Sequence, residues 1–231
     1  MAHAARTSRD ILIVALITLS FLTGCNDGVV TFAGGTAYVQ VFNAQTKTSV
    51  PLRIIADSAV IVRSLSTGEF SQTFAVPSGT YVLLEAYTTG DTAAQRIASQ
   101  RYVMADGQSY TVLIRGEVIT DFLRPIVDTV VSPFPDRAAV KIINASEETF
   151  ATIEANDTAI GLPIVDAQTI LPLVPVQEGS VRFRVRDIDR NVLIGTDTTV
   201  VLERGKCYYL FIHDIRVNGN VQQRWFIRNV Q

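Results

Sequence analysis

Cysteine, histidine and tryptophan are nearly absent from this 231-residue chain, which has two Cys, two His and one Trp. Each scarcity closes off a class of chemistry. Cys25 and Cys207 are the only thiols, and with Cys25 committed to another role no intramolecular disulfide can form, so stability falls to packing. Cys207 lies in the apolar run Cys207-Tyr208-Tyr209-Leu210-Phe211-Ile212, where a free cysteine reads as inert and buried. His3 sits in the leader, so His213 alone remains. One histidine cannot build a His-rich metal site, and any Ser-His-Asp triad would have to run through it. Its neighbour Asp214 would point to the other face of a strand, and His213 is expected to be a strand-end residue near the surface. Gly-x-Ser-x-Gly, a Gly-rich phosphate loop and Cys-x-x-Cys are all missing. Charged residues make up only 18% and the net charge is −2, which excludes the basic stripe that nucleic-acid binding requires. The 48% hydrophobic content is enough to bury a core and excludes a disordered tail.

Long apolar runs are missing too, apart from Ile11–Leu22, interrupted only by Thr18 and Ser20 and preceded by Arg6 and Arg9. That run is short of the ~20 residues that cross a bilayer and has the form of a signal peptide over residues 1–24. Leu22-Thr23-Gly24-Cys25 then resembles the lipobox of bacterial lipoproteins. Small residues before the Cys fit a narrow protease cleft, and the thiol is the nucleophile that takes a diacylglyceryl group. The resemblance implies lipid on Cys25 and a membrane partner through that anchor, with no other cofactor expected. Asn26, in place of Asp after the lipidated Cys, favours the outer membrane by the same resemblance. Residues 25–36 carry glycines without a period and read as a tether.

From Ala37 onward, short β-branched and aromatic runs alternate with turn signals. Strands are expected at 37–44, 50–56, 59–64, 69–76, 80–87, 96–104 and 109–115, a spacing that suggests a β-sandwich. The second half repeats the first. Val39-Gln40-Val41-Phe42-Asn43-Ala44 returns as Val140-Lys141-Ile142-Ile143-Asn144-Ala145, at an offset of 101. Asp57-Ser58-Ala59-Val60 returns as Asp157-Thr158-Ala159-Ile160, and Val76-x-x-Gly79 as Val176-x-x-Gly179, both at 100. Gly107-x-x-Tyr110 returns as Gly205-x-x-Tyr208, at 98. Four landmarks in one order make a tandem. Pro125, Pro133 and Pro135 mark a linker, giving a first domain at 37–124, a linker at 125–137 and a second domain at 138–231. Asn218-Gly219 signals a tight hairpin leading into Trp225.

Each repeat resembles the domain of unknown function 4397 family, bacterial envelope modules with an immunoglobulin-like sandwich. The resemblance rests on the Asn-Ala strand ends, the hairpins at Asp57-Ser58 and Asp157-Thr158, Val76-Pro77-x-Gly79-x-Tyr81, and Gly107-x-x-Tyr110-Thr111-Val112. Gln45-Thr46-Lys47 and Ser146-Glu147-Glu148 stand where the family has Ser-Pro-Asp, and the second repeat has Gln177 and Val181 for Pro77 and Tyr81. What it implies is an all-β chain of two tandem immunoglobulin-like antiparallel sandwiches with no catalytic residues.

Three constellations remain. Arg182, Arg184 and Arg186 alternate with Val181, Phe183 and Val185, which sets three guanidinium groups ~6.6 Å apart on one strand face. The row reads either as a site for an acidic partner or as a solvated face paired with acids on neighbouring strands. Asp187-Ile188-Asp189-Arg190-Asn191 offers oxygens of the kind calcium prefers but lacks the remaining ligands and reads as a hairpin turn. Trp225 lies beside Gln222, Gln223 and Arg224, where an aromatic platform for sugar rings would sit. The expectation is a membrane-anchored envelope lipoprotein without catalysis, a binding or scaffold module for an envelope protein or polysaccharide. A carbohydrate- or polymer-binding lipoprotein, and an accessory subunit of an envelope enzyme or weak hydrolase, are the alternatives.

Overall fold

The computed structural model describes residues 35–46, 50–89, 94–115 and 123–230. The expected signal peptide, the lipobox with Cys25, and the tether before Gly35 lie outside the described residues.

The described residues are all-β. The first repeat contributes β1 (Thr36–Asn43), β2 (Leu52–Ala56), β3 (Ala59–Leu65), β4 (Phe74–Pro77), β5 (Tyr81–Thr88), β6 (Arg96–Val103), β7 (Ser109–Ile114) and β8 (Leu123–Val127). The second contributes β9 (Ala138–Asn144), β10 (Ala151–Ala155), β11 (Thr158–Ala159), β12 (Ile170–Val176), β13 (Gly179–Asp187), β14 (Val192–Leu193), β15 (Thr198–Leu202), β16 (Cys207–Val217) and β17 (Asn220–Asn229). In the first sandwich, sheet β4-β1-β7-β8 faces sheet β3-β2-β5-β6 across a core that includes Val39, Val41, Val112, Ile54, Val82 and Leu84. In the second, β12-β9-β16-β17 faces β11-β10-β13-β14, with β15 also paired to β13, across Val140, Ile142, Leu210, Ile153, Phe183 and Val185. Pairing is antiparallel except for β1 with β7 and β9 with β16.

The repeat is reproduced in the register. Val39 lies opposite Tyr110 as Val140 lies opposite Tyr208. One alignment shifts: the positive-φ pairs at the second turn of each repeat are Asp57-Ser58 and Asn156-Asp157. The Asp57 side chain accepts from Leu83 N–H as Asn156 does from Arg182 N–H, so the true offset there is 99, one less than the matching letters of Asp57 and Asp157 indicate. Turn geometry sets this register, and either Asp or Asn serves at the first turn position.

The recurring motifs are structural. After the turns at Gly107 and Gly205, whose φ values of +67° and +74° suit glycine, Tyr110 and Tyr208 each accept a hydrogen bond at 2.9 Å from the backbone N–H five residues upstream, of Ala105 and Glu203. The Asn-Ala ends close the cores. Asn43, fully buried, donates to the Leu65 carbonyl and accepts from Gln45 N–H. Asn144 donates to the Thr149 and Val165 carbonyls and accepts from the Ser146 N–H and hydroxyl. Asn144→Ala would strand these buried groups and is expected to cost about 2 kcal/mol, read from the urea midpoint at unchanged slope.

Prolines mark edges, as a missing N–H requires. Pro77 ends edge strand β4, and Pro175 lies in edge strand β12. Pro125 corrects the expected linker: it sits inside β8, opposite Val112 of β7, so the first sandwich runs to Val127 where 124 was expected. An edge strand tolerates proline because one side of its backbone needs no partner. The segment that follows is tied down rather than free. Asp128 N–H donates to the Ser109 carbonyl, Ser132 N–H donates to the Gly205 carbonyl, and Val131 bridges Lys206.

The decisive packing feature is a third core. Phe42, Ala44, Leu113 and Ile126 of the first sandwich meet Ala139, Ile143, Ala145, Tyr209, Phe211 and Val230 of the second. Alternation explains it: along β1, Val39 and Val41 point into the first core while Phe42 points out, and along β16, Leu210 and Ile212 point into the second core while Tyr209 and Phe211 point out. The two inner sheets are therefore apolar on both faces and join back to back, and residues 35–231 form one compact unit.

Candidate functional site

β16 and β17 pair along their whole lengths from Tyr208–Asn229 to Val217–Asn220, closed by Asn218-Gly219 with φ of +52° and +82°. Strand β9 supports β16 only from Cys207 to Ile212. The hairpin beyond Ile212 thus projects past its sheet and faces the 66–68 turn of the first sandwich. Between them opens a cleft of about 530 Å³, lined by Ser66, Thr67 and Gly68 on one wall and by His213, Ile215, Arg216, Arg224, Trp225 and Phe226 on the other. Its size falls in the range of small-molecule sites.

His213 is not near the surface, as expected from sequence, but 4% exposed. It packs edge-on against Phe42 at 5.4 Å and Phe226 at 5.6 Å between ring centroids. The reason is that β16 is covered on both faces, so a position beyond the apolar run still falls inside. Burial pulls the imidazole pKa down to about 4, against the opposing Asp214 carbonyl and helped by the Arg224 charge. Asp214 points to the other face, where its Oδ2 accepts from Glu147 N–H at 2.8 Å. Burial raises its carboxyl above the usual range. No His-Asp dyad forms.

Trp225 is half-buried on the second core, and the indole Nε1 lies 3.6 Å from where a side chain on Gly195 would begin. It borders the cleft without presenting a flat exposed ring of the kind a sugar platform needs.

The arginine row is on the surface of β13, and two of its three guanidinium groups are ion-paired. Arg182 pairs with Asp157. Arg184 reaches Asp197 at 3.0 Å, Glu154 at 3.2 Å and Asp157 at 3.4 Å, and its hydrogen bond holds the Asp197 carboxyl below the usual range. Arg186 donates to Asn191 Oδ1 at 3.4 Å. The structure thus places acids from β10, its turn and the segment before β15 across from the row. At the 187–191 turn, buried Asp187 accepts from Arg190 N–H at 3.0 Å, and among the described residues no three His, Cys, Asp or Glu side chains gather around a point that could hold a metal. Cys207 is fully buried and burial pushes its thiol up.

A second, smaller cavity of about 80 Å³ lies at the rim of the third core, lined among others by Gln40, Thr111, Asp128, Tyr209 and Arg228. Tyr209 donates to Asp128 Oδ1 at 3.0 Å, and Arg228 donates to Gln40 Oε1 at 2.9 Å while lying 4.3 Å over the Phe70 ring. Burial raises the Asp128 carboxyl despite nearby Lys141 and Arg228. These groups tie the sandwiches together and leave room for little more than bound water.

Sequence reasoning places Arg224 only as a polar neighbour of Trp225 and misses Ile215 and the 66–68 turn. The signal for them was present in the arm lengths: β16 and β17 have 11 and 10 residues, against 6 and 5 for β7 and β8, and the excess is the overhang that walls the cleft.

The family described as Domain of unknown function (DUF4397) matches residues 37–152, which takes in the first sandwich and runs through β9 into β10. No curated protein matches the chain.

Proposed function

We propose that this chain, which belongs to the DUF4397 family of domains of unknown function, works as a lipid-anchored protein of the bacterial envelope, its joined sandwiches acting as a non-catalytic binding or scaffold module. The observation that carries the reading is Leu22-Thr23-Gly24-Cys25 directly after the apolar run Ile11–Leu22. Among the described residues no helix is long and apolar enough to cross a membrane. Two or three acyl chains at ~0.8 kcal/mol per buried CH₂ give a stable anchor, where one chain does not. The binding part of the reading is supported by the inter-sandwich cleft. The carbohydrate-platform alternative loses ground with Trp225 packed on the core, and the arginine row loses ground as an acidic-partner site because Arg182 and Arg184 are ion-paired with acids beside them.

Radiolabelled palmitate fed to cells expressing the full chain is expected to label the protein and follow it into the membrane fraction. Cys25→Ala is expected to lose the label. Label undiminished in Cys25→Ala overturns the anchor.

A further inference from the structure

The two groups of arginines differ in what surrounds them. Arg182 and Arg184 are balanced by Asp157, Glu154 and Asp197. The cleft has two guanidinium groups, Arg216 and Arg224, and no acidic residue among those that line it. Arg216 donates through Nε to the Thr46 carbonyl at 3.2 Å, and the Thr46 hydroxyl donates to the Glu147 carboxylate. Arg224 is exposed and makes no ion pair among the described residues. It lies directly across from His213 in the hairpin register, so its side chain shares the cleft face with a ring that burial keeps neutral. In a protein of net charge −2, this is a concave spot whose lining carries two cations, with the one carboxylate on the turn wall, Glu69, engaged by the Ser66 N–H at 3.1 Å, and a concavity with low-dielectric walls focuses such a field. Guanidinium groups recognise carboxylate and phosphate through paired N–H donors. Beneath them Ile215 and Phe226 give an apolar floor.

We propose that this cleft is a binding site for a small organic anion, a carboxylate or phosphate held by Arg224, with Arg216 at the rim and the body of the ligand lying on Ile215 and Phe226. Tight closure at the back of the site is built in. Gly68 has φ +83°, and a side chain there would begin 3.1 Å from His213 Cε1, so the turn approaches the hairpin as closely as glycine permits. The inference rests on the binding-module reading and is independent of the anchor. Loss of the palmitate result would leave this site standing, and an empty cleft would leave an anchored scaffold.

Trp225 is the only tryptophan and borders the cleft, so its emission, excited where tyrosine is silent, reports on the site. The full chain in neutral detergent is titrated at low salt with glucuronate, with glucose 6-phosphate and with glucose, and thermal shift is read in parallel. A saturable response to one or both anions and none to glucose is expected, weakened by salt. Arg224→Gln is expected to weaken binding at least tenfold with the melting temperature of the free protein unchanged, and Arg216→Gln to weaken it less, with a small loss of melting temperature because the bond to the Thr46 carbonyl goes with it. A response to glucuronate alone assigns carboxylate, and one to the phosphate ester alone assigns phosphate. Silence by both readouts with both anions, equal binding of glucose, or wild-type affinity in both variants overturns the proposal.

Discussion

Phe211→Ala is expected to lower the unfolding free energy by about 3–5 kcal/mol, and to do so for both sandwiches together. Phe211 is fully buried, yet it belongs to neither sandwich's own core. Its ring stacks on Phe226 at 5.1 Å, tilts against Phe42 at 4.9 Å and meets Phe70 edge-on at 5.4 Å. Two of those partners, Phe42 and Phe70, come from the first sandwich. Truncation removes the transfer energy of the ring and leaves a cavity in a seam whose backbone is fixed by sheet pairing on both sides, so little collapse can follow. The loss is read from urea unfolding followed by Trp225 fluorescence and far-ultraviolet dichroism. The two probes are expected to shift to a lower midpoint together, since Trp225 reports on the second sandwich and dichroism on all strands. A midpoint that moves by only one probe would show that the seam does not couple the two halves.

Acidification is expected to destabilise the protein through His213 by up to roughly 3 kcal/mol. The folded-state pKa of about 4 lies below the ordinary 6.5. As pH falls, the unfolded chain takes up a proton before the folded one does. The stability contributed by the neutral buried ring is therefore fully present above about 6.5 and is lost as pH falls through about 4. Asp128 and Asp214 act in the opposite sense, because burial raises their carboxyls. Their contribution is complete below the ordinary carboxylate range and is lost as pH rises through the raised folded values. His213→Phe separates the two effects. A phenyl ring fits between Phe42 and Phe226 and does not titrate, so the variant should gain about 3 kcal/mol on the wild type between about pH 7 and pH 4. Parallel stability curves for the two proteins would contradict a buried neutral His213.

Local features were legible in the sequence. All seven strands expected in the first repeat are present, although the 69–76 stretch narrows to Phe74–Pro77, with Phe70 making an isolated bridge to Phe42. Turn residues and alternation encode such elements within a few positions, and the tandem repeat encodes the topology twice. The seam was not read, although its mark was there. Tyr208-Tyr209-Leu210-Phe211-Ile212 is apolar without alternation, the pattern of a strand covered on both faces, a signal that bears on the seam as well as on the burial of Cys207. Reading β16 as covered on one face only puts His213 near the surface, and reading every proline of 125–135 as a breaker puts Pro125 in a linker, where an edge strand holds it instead. The arginine row was legible as a row because side chains alternate along one strand. Its acids were not, because Asp197 reaches Arg184 only through the β13 and β15 pairing, which no single stretch specifies. The cleft depends on the same long-range packing, since its two walls belong to different repeats.

Differential scanning calorimetry of the full chain tests the union of the two sandwiches most directly. A single endotherm is expected, its calorimetric and van't Hoff enthalpies in agreement, moving as one peak to lower temperature in Phe211→Ala. Two resolved transitions, or a Phe211→Ala scan in which only one component moves, would contradict a shared core and with it the cleft that the shared core positions.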